Sequence, residues 1–232
     1  MIRAVVFDLD NTLVDFMRMK RAASEAAVRA MIEAGLQIDE EKGIKILFGM
    51  YEKYGMENQS IFDRFIRELN GKMDYAMLAN AIVAYRKAKM GSLTPYPNTR
   101  KTLIKLKSLG IGLGIVSDAP IKQAWLRLAE MNLCEFFDVV VARGPKGKMK
   151  PHASPYKKAL KALGLKPQEV LFVGDNPARD ILGAKKLGMR TALARYGQVV
   201  YDSAVEKPDF ELKDISELVE IVNSLNTDKA NG

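Results

Sequence analysis

Apolar and β-branched residues run together at the start of the chain, Ile2-Arg3-Ala4-Val5-Val6-Phe7, and stop at Asp8-Leu9-Asp10-Asn11-Thr12. This pattern predicts a buried strand with carboxylates where it ends. A different periodicity follows. Phe16, Met19, Ala22, Ala23, Ala26, Ala27, Ala30 and Met31 recur at helical spacing, and Gly35 closes that run. Asp39 is placed to cap a second helix, residues 58–69 fit a third with Gly71 behind it, and Met77, Leu78, Ala81, Ile82 and Tyr85 share one face of a fourth. No strand pattern interrupts these four, so they read as one helical insertion whose Met and Tyr stripes form its core.

Residues 91–97 are turn-rich and mark a boundary. Beyond them helix and strand alternate. Helices are predicted at 99–109, 121–131, 155–163, 180–187 and 215–225, and strands at 111–116, 138–142, 170–173 and 190–194. The tail to Gly232 is expected to fray. Alternating β and α units imply an α/β fold, a doubly wound parallel sheet. The expected domains are a core of residues 1–14 and 93–232 and a helical domain of residues 15–92.

In such a sheet, ligands sit beyond the carboxyl ends of the strands. Asp8 and Asp10 would share a small space there, and like charges so close call for a cation or a proton. Other predicted strand ends bring matching groups: Ser117 and Asp118, then Lys150-Pro151 after the next strand, then Gly174-Asp175-Asn176-Pro177-Ala178-Arg179-Asp180. Together they offer carboxylates for a hard cation, a hydroxyl and backbone N–H groups for an oxyanion, and a lysine for charge. Phosphoryl chemistry requires these groups.

Composition changes the picture in a few places. At 232 residues with 48% hydrophobic content, the chain can bury a real core with an insertion. No apolar run reaches the roughly 18–20 residues that a membrane span needs, and the start of the chain has no signal-peptide pattern. The single Cys134 cannot make an internal disulfide; it is expected to be a core residue, and a cytoplasmic location follows by default. The formal net charge is +8, and Arg143, Lys146, Lys148 and Lys150 supply half of that excess in one Gly/Pro-rich stretch. This is either a solvated loop or a positive mouth for an anionic substrate. Nucleic-acid binding finds no stacking-aromatic cluster, zinc finger or basic helix to support it.

Four motifs in order, each after a predicted strand, resemble the haloacid dehalogenase superfamily. Its phosphatases carry Asp-x-Asp-x-Thr, a Ser/Thr, a Lys and an acidic Gly-Asp motif. The resemblance covers about residues 2–194, and the helical region resembles the family's inserted cap, as in phosphoglycolate phosphatase-like members. It implies a nucleophilic role for Asp8, through an aspartyl-phosphate, and a general acid and base role for Asp10. It further implies Mg²⁺ held by Asp8, the backbone carbonyl of Asp10, and Asp175. Ser117, the backbone N–H of Asp118, and Lys150 would bind the phosphate. Secondary roles fall to Thr12, Asn176 and Asp180. Thr12 either braces the backbone or touches the ligand. Asp180 either caps the following helix or orients Lys150 and a metal-bound water.

Asp118 stands where many relatives have Asn, which leaves substrate preference open. His152, the only histidine, is not needed by this mechanism and is expected at a structural or substrate-rim position. Dehalogenases and phosphonate hydrolases of the superfamily lack the second acid of the first motif, so Asp10 argues against both. The expected function is Mg²⁺-dependent hydrolysis of a small-molecule phosphomonoester. The alternatives are a sugar-phosphate mutase on the same core or a non-catalytic binding or regulatory protein. The cap would close over the substrate, with Phe16, Arg18 and Lys20 placed to select the leaving group.

Overall fold

The computed structural model describes residues 1–200 and 207–227, so the expected fraying of the tail to Gly232 lies outside the described residues. Two compact units emerge: Met1–Asp15 with Thr94–Gly232, and Phe16–Leu93.

The first unit is built on a six-stranded parallel sheet in the order β3-β2-β1-β4-β5-β6. The strands are β1 (Ala4–Phe7), β2 (Gly112–Pro120), β3 (Val139–Arg143), β4 (Val170–Gly174), β5 (Arg190–Ala194) and β6 (Phe210–Leu212). β1 and β4 are fully buried, as expected for near-continuous apolar strands covered on both faces. Val6, Val116 and Phe172 on one face of the sheet pack with Tyr156, Ala159 and Leu160. The chain leaves β1 toward β2 on one side and later returns to β4 on the other. The carboxyl end of β1 is therefore a topological switch point.

Register delivers the site. Phe7 pairs with Ile115 on one side and Val173 on the other. Asp8, Ser117 and Asp175 thus emerge within a residue or two of one level, although the sequence separates them widely.

Around the sheet lie α5 (Thr99–Ser108), α6 (Ile121–Glu130), α7 (Ala153–Leu163), α8 (Leu182–Lys185) and α9 (Leu218–Thr227), numbered after the four helices of the other unit. Several elements differ from expectation. β2 continues through Ser117 and Asp118 to Pro120, with a register shift against β3 between Val116 and Pro120. The predicted helix at 180–187 begins earlier, as a π-helical turn Pro177–Ile181, because Asn176 caps it and Pro177 suits its first position. β6 was not predicted: it has three residues, too few to show a period. Cys134 is half-buried in the short turn Cys134–Phe136 rather than in the core.

The second unit contains α1 (Phe16–Glu33), α2 (Glu40–Tyr54), α3 (Ile61–Asn70) and α4 (Tyr75–Ser92). Asp39 caps α2 by accepting from the Lys42 backbone N–H at 3.0 Å, and Asp74 caps α4 through Met77 in the same way. Gly71 takes φ 70°, ending α3 in the left-handed region. Val28, Met31, Leu47, Tyr51, Phe65, Ile66 and Met77 fill the core, so the Met and aromatic stripes are packing residues. No helix among the described residues is long and apolar enough to cross a membrane.

Candidate active site

The turn after β1 is fixed by the backbone. Asp8 N–H donates to the Val173 carbonyl at 2.8 Å, and the Thr12 and Leu13 N–H groups return to the Leu9 carbonyl. Asn11 holds φ 59°, a conformation that Asn tolerates better than most residues. The turn is backed by Tyr196, whose hydroxyl donates to the Thr12 carbonyl at 2.9 Å. A Cβ on Gly197 would lie 1.6 Å from the Asn11 carbonyl oxygen, so only glycine permits this approach. Thr12 itself is fully buried, and its main chain is part of this brace.

Four buried charges converge beyond the sheet. Lys150 Nζ lies 2.6 Å from Asp8 and 2.8 Å from Asp180, and it donates to the Val116 carbonyl at 3.0 Å. Oxygens of Asp8, Asp175 and Asp180 all lie within 4.8 Å of one another. Asp180 folds back under the end of β4, accepting from the Asn176 backbone N–H at 3.0 Å. Gly174 makes room for it, because a Cβ there would fall 2.5 Å from the Asp180 carboxylate. Tyr156 supports the same loop by donating to the Arg179 carbonyl at 2.7 Å. Asn176, not Asp180, is the helix cap: its side chain accepts from Arg179 N–H at 3.0 Å.

Three carboxylates beside one ammonium leave a formal excess of two negative charges. Burial raises the Asp8 carboxyl, the Lys150 charge lowers it, and Asp180 and Asp10 raise it again, leaving it pushed up to about 7. Burial likewise raises Asp175, and Asp180 and Asp8 add to it, pushing it up to about 9. Burial opposes the charge on Lys150, but Asp180 and Asp8 outweigh it and hold the ammonium above its ordinary range. Both Asp175 carboxylate oxygens are buried and accept no hydrogen bond among the described residues. An all-oxygen donor set with this charge suits a hard divalent cation such as Mg²⁺. The carboxylate cluster is Asp8, Asp175 and Asp180; the expected metal set shares Asp8 and Asp175 with it and draws on Asp10 through its backbone carbonyl.

The remaining expected site residues are placed as follows. Ser117 Oγ accepts from the Ala119 N–H at 3.1 Å, which leaves its proton to donate. The Asp118 carboxylate accepts from the Lys150 backbone N–H at 2.9 Å and lies 3.6 Å from Arg179, tying the Lys150 loop to the end of β2. The Asp10 carboxylate turns to Arg127 of α6, Nη1 to Oδ2 2.7 Å. His152 caps α7, its Nδ1 accepting from Ser154 N–H at 3.1 Å. Of the basic stretch only Lys150 is buried in the cluster; Lys146 and Lys148 are on the surface. Lys20 lies inside the helical unit, donating to the Met56 carbonyl at 2.8 Å and sitting 3.8 Å over the Tyr51 ring.

Arg127 was absent from the expected site. Its one sequence signal is an arginine on the face of a helix otherwise buried through Ala124 and Leu128.

A family model described as haloacid dehalogenase-like hydrolase matches residues 2–188. The chain belongs to the haloacid dehalogenase-like hydrolases. As a member of that family this protein is a hydrolase. It is 36% identical over 228 residues to a glyceraldehyde 3-phosphate phosphatase of Methanocaldococcus jannaschii, covering 98% of this chain and 100% of that one. It is 33% identical to a phosphoglycolate phosphatase of Aquifex aeolicus, covering 96% of this chain and 98% of that one. The crystal structure of a HAD phosphatase from Thermococcus onnurineus superposes with a TM-score of 0.69 at 25% identity, covering 95% of this chain and 98% of that one.

Proposed function

We propose that this haloacid dehalogenase-like hydrolase is a Mg²⁺-dependent phosphatase of small phosphorylated metabolites, acting through an aspartyl-phosphate on Asp8. The observation that carries this reading is the buried set of Asp8, Asp175, Asp180 and Lys150 at the end of β1. An Asp8 oxygen attacks phosphorus, the bond to the leaving oxygen breaks, and Asp10 delivers a proton to that oxygen. Water then attacks the same phosphorus, Asp10 takes its proton, and the Asp8 carboxylate is regenerated as phosphate leaves. Asp8, Asp175 and the Asp10 main-chain carbonyl, with Asp180 alongside, would hold Mg²⁺, which would supply charge neutralisation for the nucleophile and the phosphate. Ser117, the Asp118 N–H and Lys150 receive the phosphate oxygens.

The relatives supply the first substrates to test. Glyceraldehyde 3-phosphate leads, on the strength of the 36% identity over nearly the whole chain, and phosphoglycolate follows. Cytoplasmic residence is part of this proposal and rests on the lone Cys134. The experiment is a Mg²⁺-supplemented panel of phosphometabolites scored by phosphate release and kcat/KM. Glyceraldehyde 3-phosphate is expected to rank first among three-carbon and two-carbon substrates. Isomerised sugar phosphate without phosphate release would replace hydrolysis by phosphoryl transfer within the substrate, and an inert panel would overturn the proposal.

A further inference from the structure

We propose that Arg127 is a positioning residue for Asp10, holding its carboxylate in the orientation that the leaving-group step needs. The inference rests on the reading of Asp10 as acid and base. Arg127 lies on α6 between Ala124 and Leu128, on the helix face turned into the protein. It is 2% exposed and ranks among the largest fully buried side chains of the molecule. An apolar residue would fill this helix position without the desolvation of a guanidinium, so burial here demands a compensating partner. That partner is Asp10, at 2.7 Å from Nη1.

The geometry separates what fixes the main chain of Asp10 from what fixes its side chain. The β1 turn fixes the main chain, through Asn11 N–H to the Val14 carbonyl at 2.7 Å and through the approach of Gly197. The guanidinium of Arg127 then constrains the carboxylate. A planar, always-charged donor sets direction as well as distance, which a lysine ammonium does less well. The helix also follows directly from β2, the strand that carries Ser117. One strand and helix unit therefore sets both the phosphate-binding hydroxyl and the orientation of the acid. Misplacing a catalytic group by about 1 Å costs on the order of a hundredfold in rate.

The test compares wild-type enzyme with Arg127→Met, Arg127→Lys and Asp10→Asn under single-turnover conditions with Mg²⁺. One substrate is glyceraldehyde 3-phosphate, whose alkoxide leaving group needs a proton. The other is 2,4-dinitrophenyl phosphate, whose leaving group does not. Arg127→Met is expected to slow the first substrate on the order of a hundredfold while leaving the burst of dinitrophenolate within about threefold of wild type. Arg127→Lys is expected to fall between, and it provides the reading should the Met variant not fold. Equal losses on both substrates, or a change in KM alone, would show a structural role and overturn the inference. So would Arg127 variants matching wild type while Asp10→Asn is slow. An Asp10→Asn variant as fast as wild type on glyceraldehyde 3-phosphate would instead overturn the underlying reading of Asp10.

Discussion

Replacing Asp175 by Asn is expected to make the metal-free protein more stable while abolishing its response to Mg²⁺. Burial, Asp180 and Asp8 push the Asp175 carboxyl up from 3.8 to about 9. A carboxyl raised on folding is stabilising, relative to higher pH, only below its unfolded pKa. Stability falls as pH climbs from that value toward the folded one, since the unfolded chain releases the proton first. At pH 7 nearly the full unfolded-side interval applies, a penalty of about 4 kcal/mol at about 1.4 kcal/mol per unit. Asparagine keeps the shape and removes the need to take up a proton on folding. It sacrifices no hydrogen bond among the described residues, because neither oxygen of Asp175 accepts one.

Recovering about 2–4 kcal/mol would raise the melting temperature by about 4–16 °C in a protein of this size. The assay is thermal unfolding of both proteins in chelator at pH 5 and pH 7, then with excess Mg²⁺. The gap between them is expected to widen at the higher pH. Wild type is expected to gain about 3 kcal/mol at a hundredfold excess of Mg²⁺ over Kd, and the variant almost nothing. An Asp175→Asn protein that melts below wild type in chelator, or that responds equally to Mg²⁺, would refute the reasoning.

Three further outcomes follow from the same cluster and its supports. Asp8→Asn is expected to abolish phosphate release with circular dichroism unchanged; retained turnover would remove Asp8 as nucleophile. Lys150→Met leaves three carboxylates without their shared cation, so breaking this buried pairing is expected to cost about 3–5 kcal/mol in chelator, part of it recovered by Mg²⁺. A melting curve unchanged from wild type would count against that balance of charge. Gly197→Ala forces a Cβ onto the Asn11 carbonyl and is expected to lower both stability and kcat, whereas Gly91→Ala, with open space around it, is expected to be neutral or stabilising by about 0.5–1 kcal/mol.

What could be read from the sequence was the part governed by local pattern. Ala4 to Phe7 and Val170 to Val173 are apolar because both faces of their strands are covered, and the acids after them mark where the sheet ends. The helical unit was equally visible in its 3.6-residue period and its cap at Asp39, while the cap at Asp74 emerged only in the structure. What escaped depends on contacts between distant residues. Asp180 and Asn176 compete for the same cap by residue type, and only the space under Gly174 shows that Asp180 turns inward to Lys150. Arg127 looks like any helical arginine until the sheet sets α6 beside the β1 turn. Lys20 was expected to select the leaving group, yet its amine is taken up inside the helical unit by Met56 and two tyrosines.

The two acids of the first motif pose an electrostatic problem, since carboxylates one residue apart tend to share a fate. Here they are drawn to different cations, Asp8 to Lys150 at 2.6 Å and Asp10 to Arg127 at 2.7 Å. The first pairing places Asp8 among carboxylates whose excess charge a divalent ion relieves. The second draws Asp10 toward α6, outside the set of acidic side chains that can hold that ion. Separate partners thus give neighbouring, identical side chains different environments, and different environments permit different work. The division follows from which strand and helix each cation rides on: Lys150 comes from the loop between β3 and α7, and Arg127 comes from the helix after β2. A one-residue slip of β1 would bring Leu9 to an acid position and turn both carboxylates away from their cations, so the register of that strand is a catalytic constraint as much as a packing one.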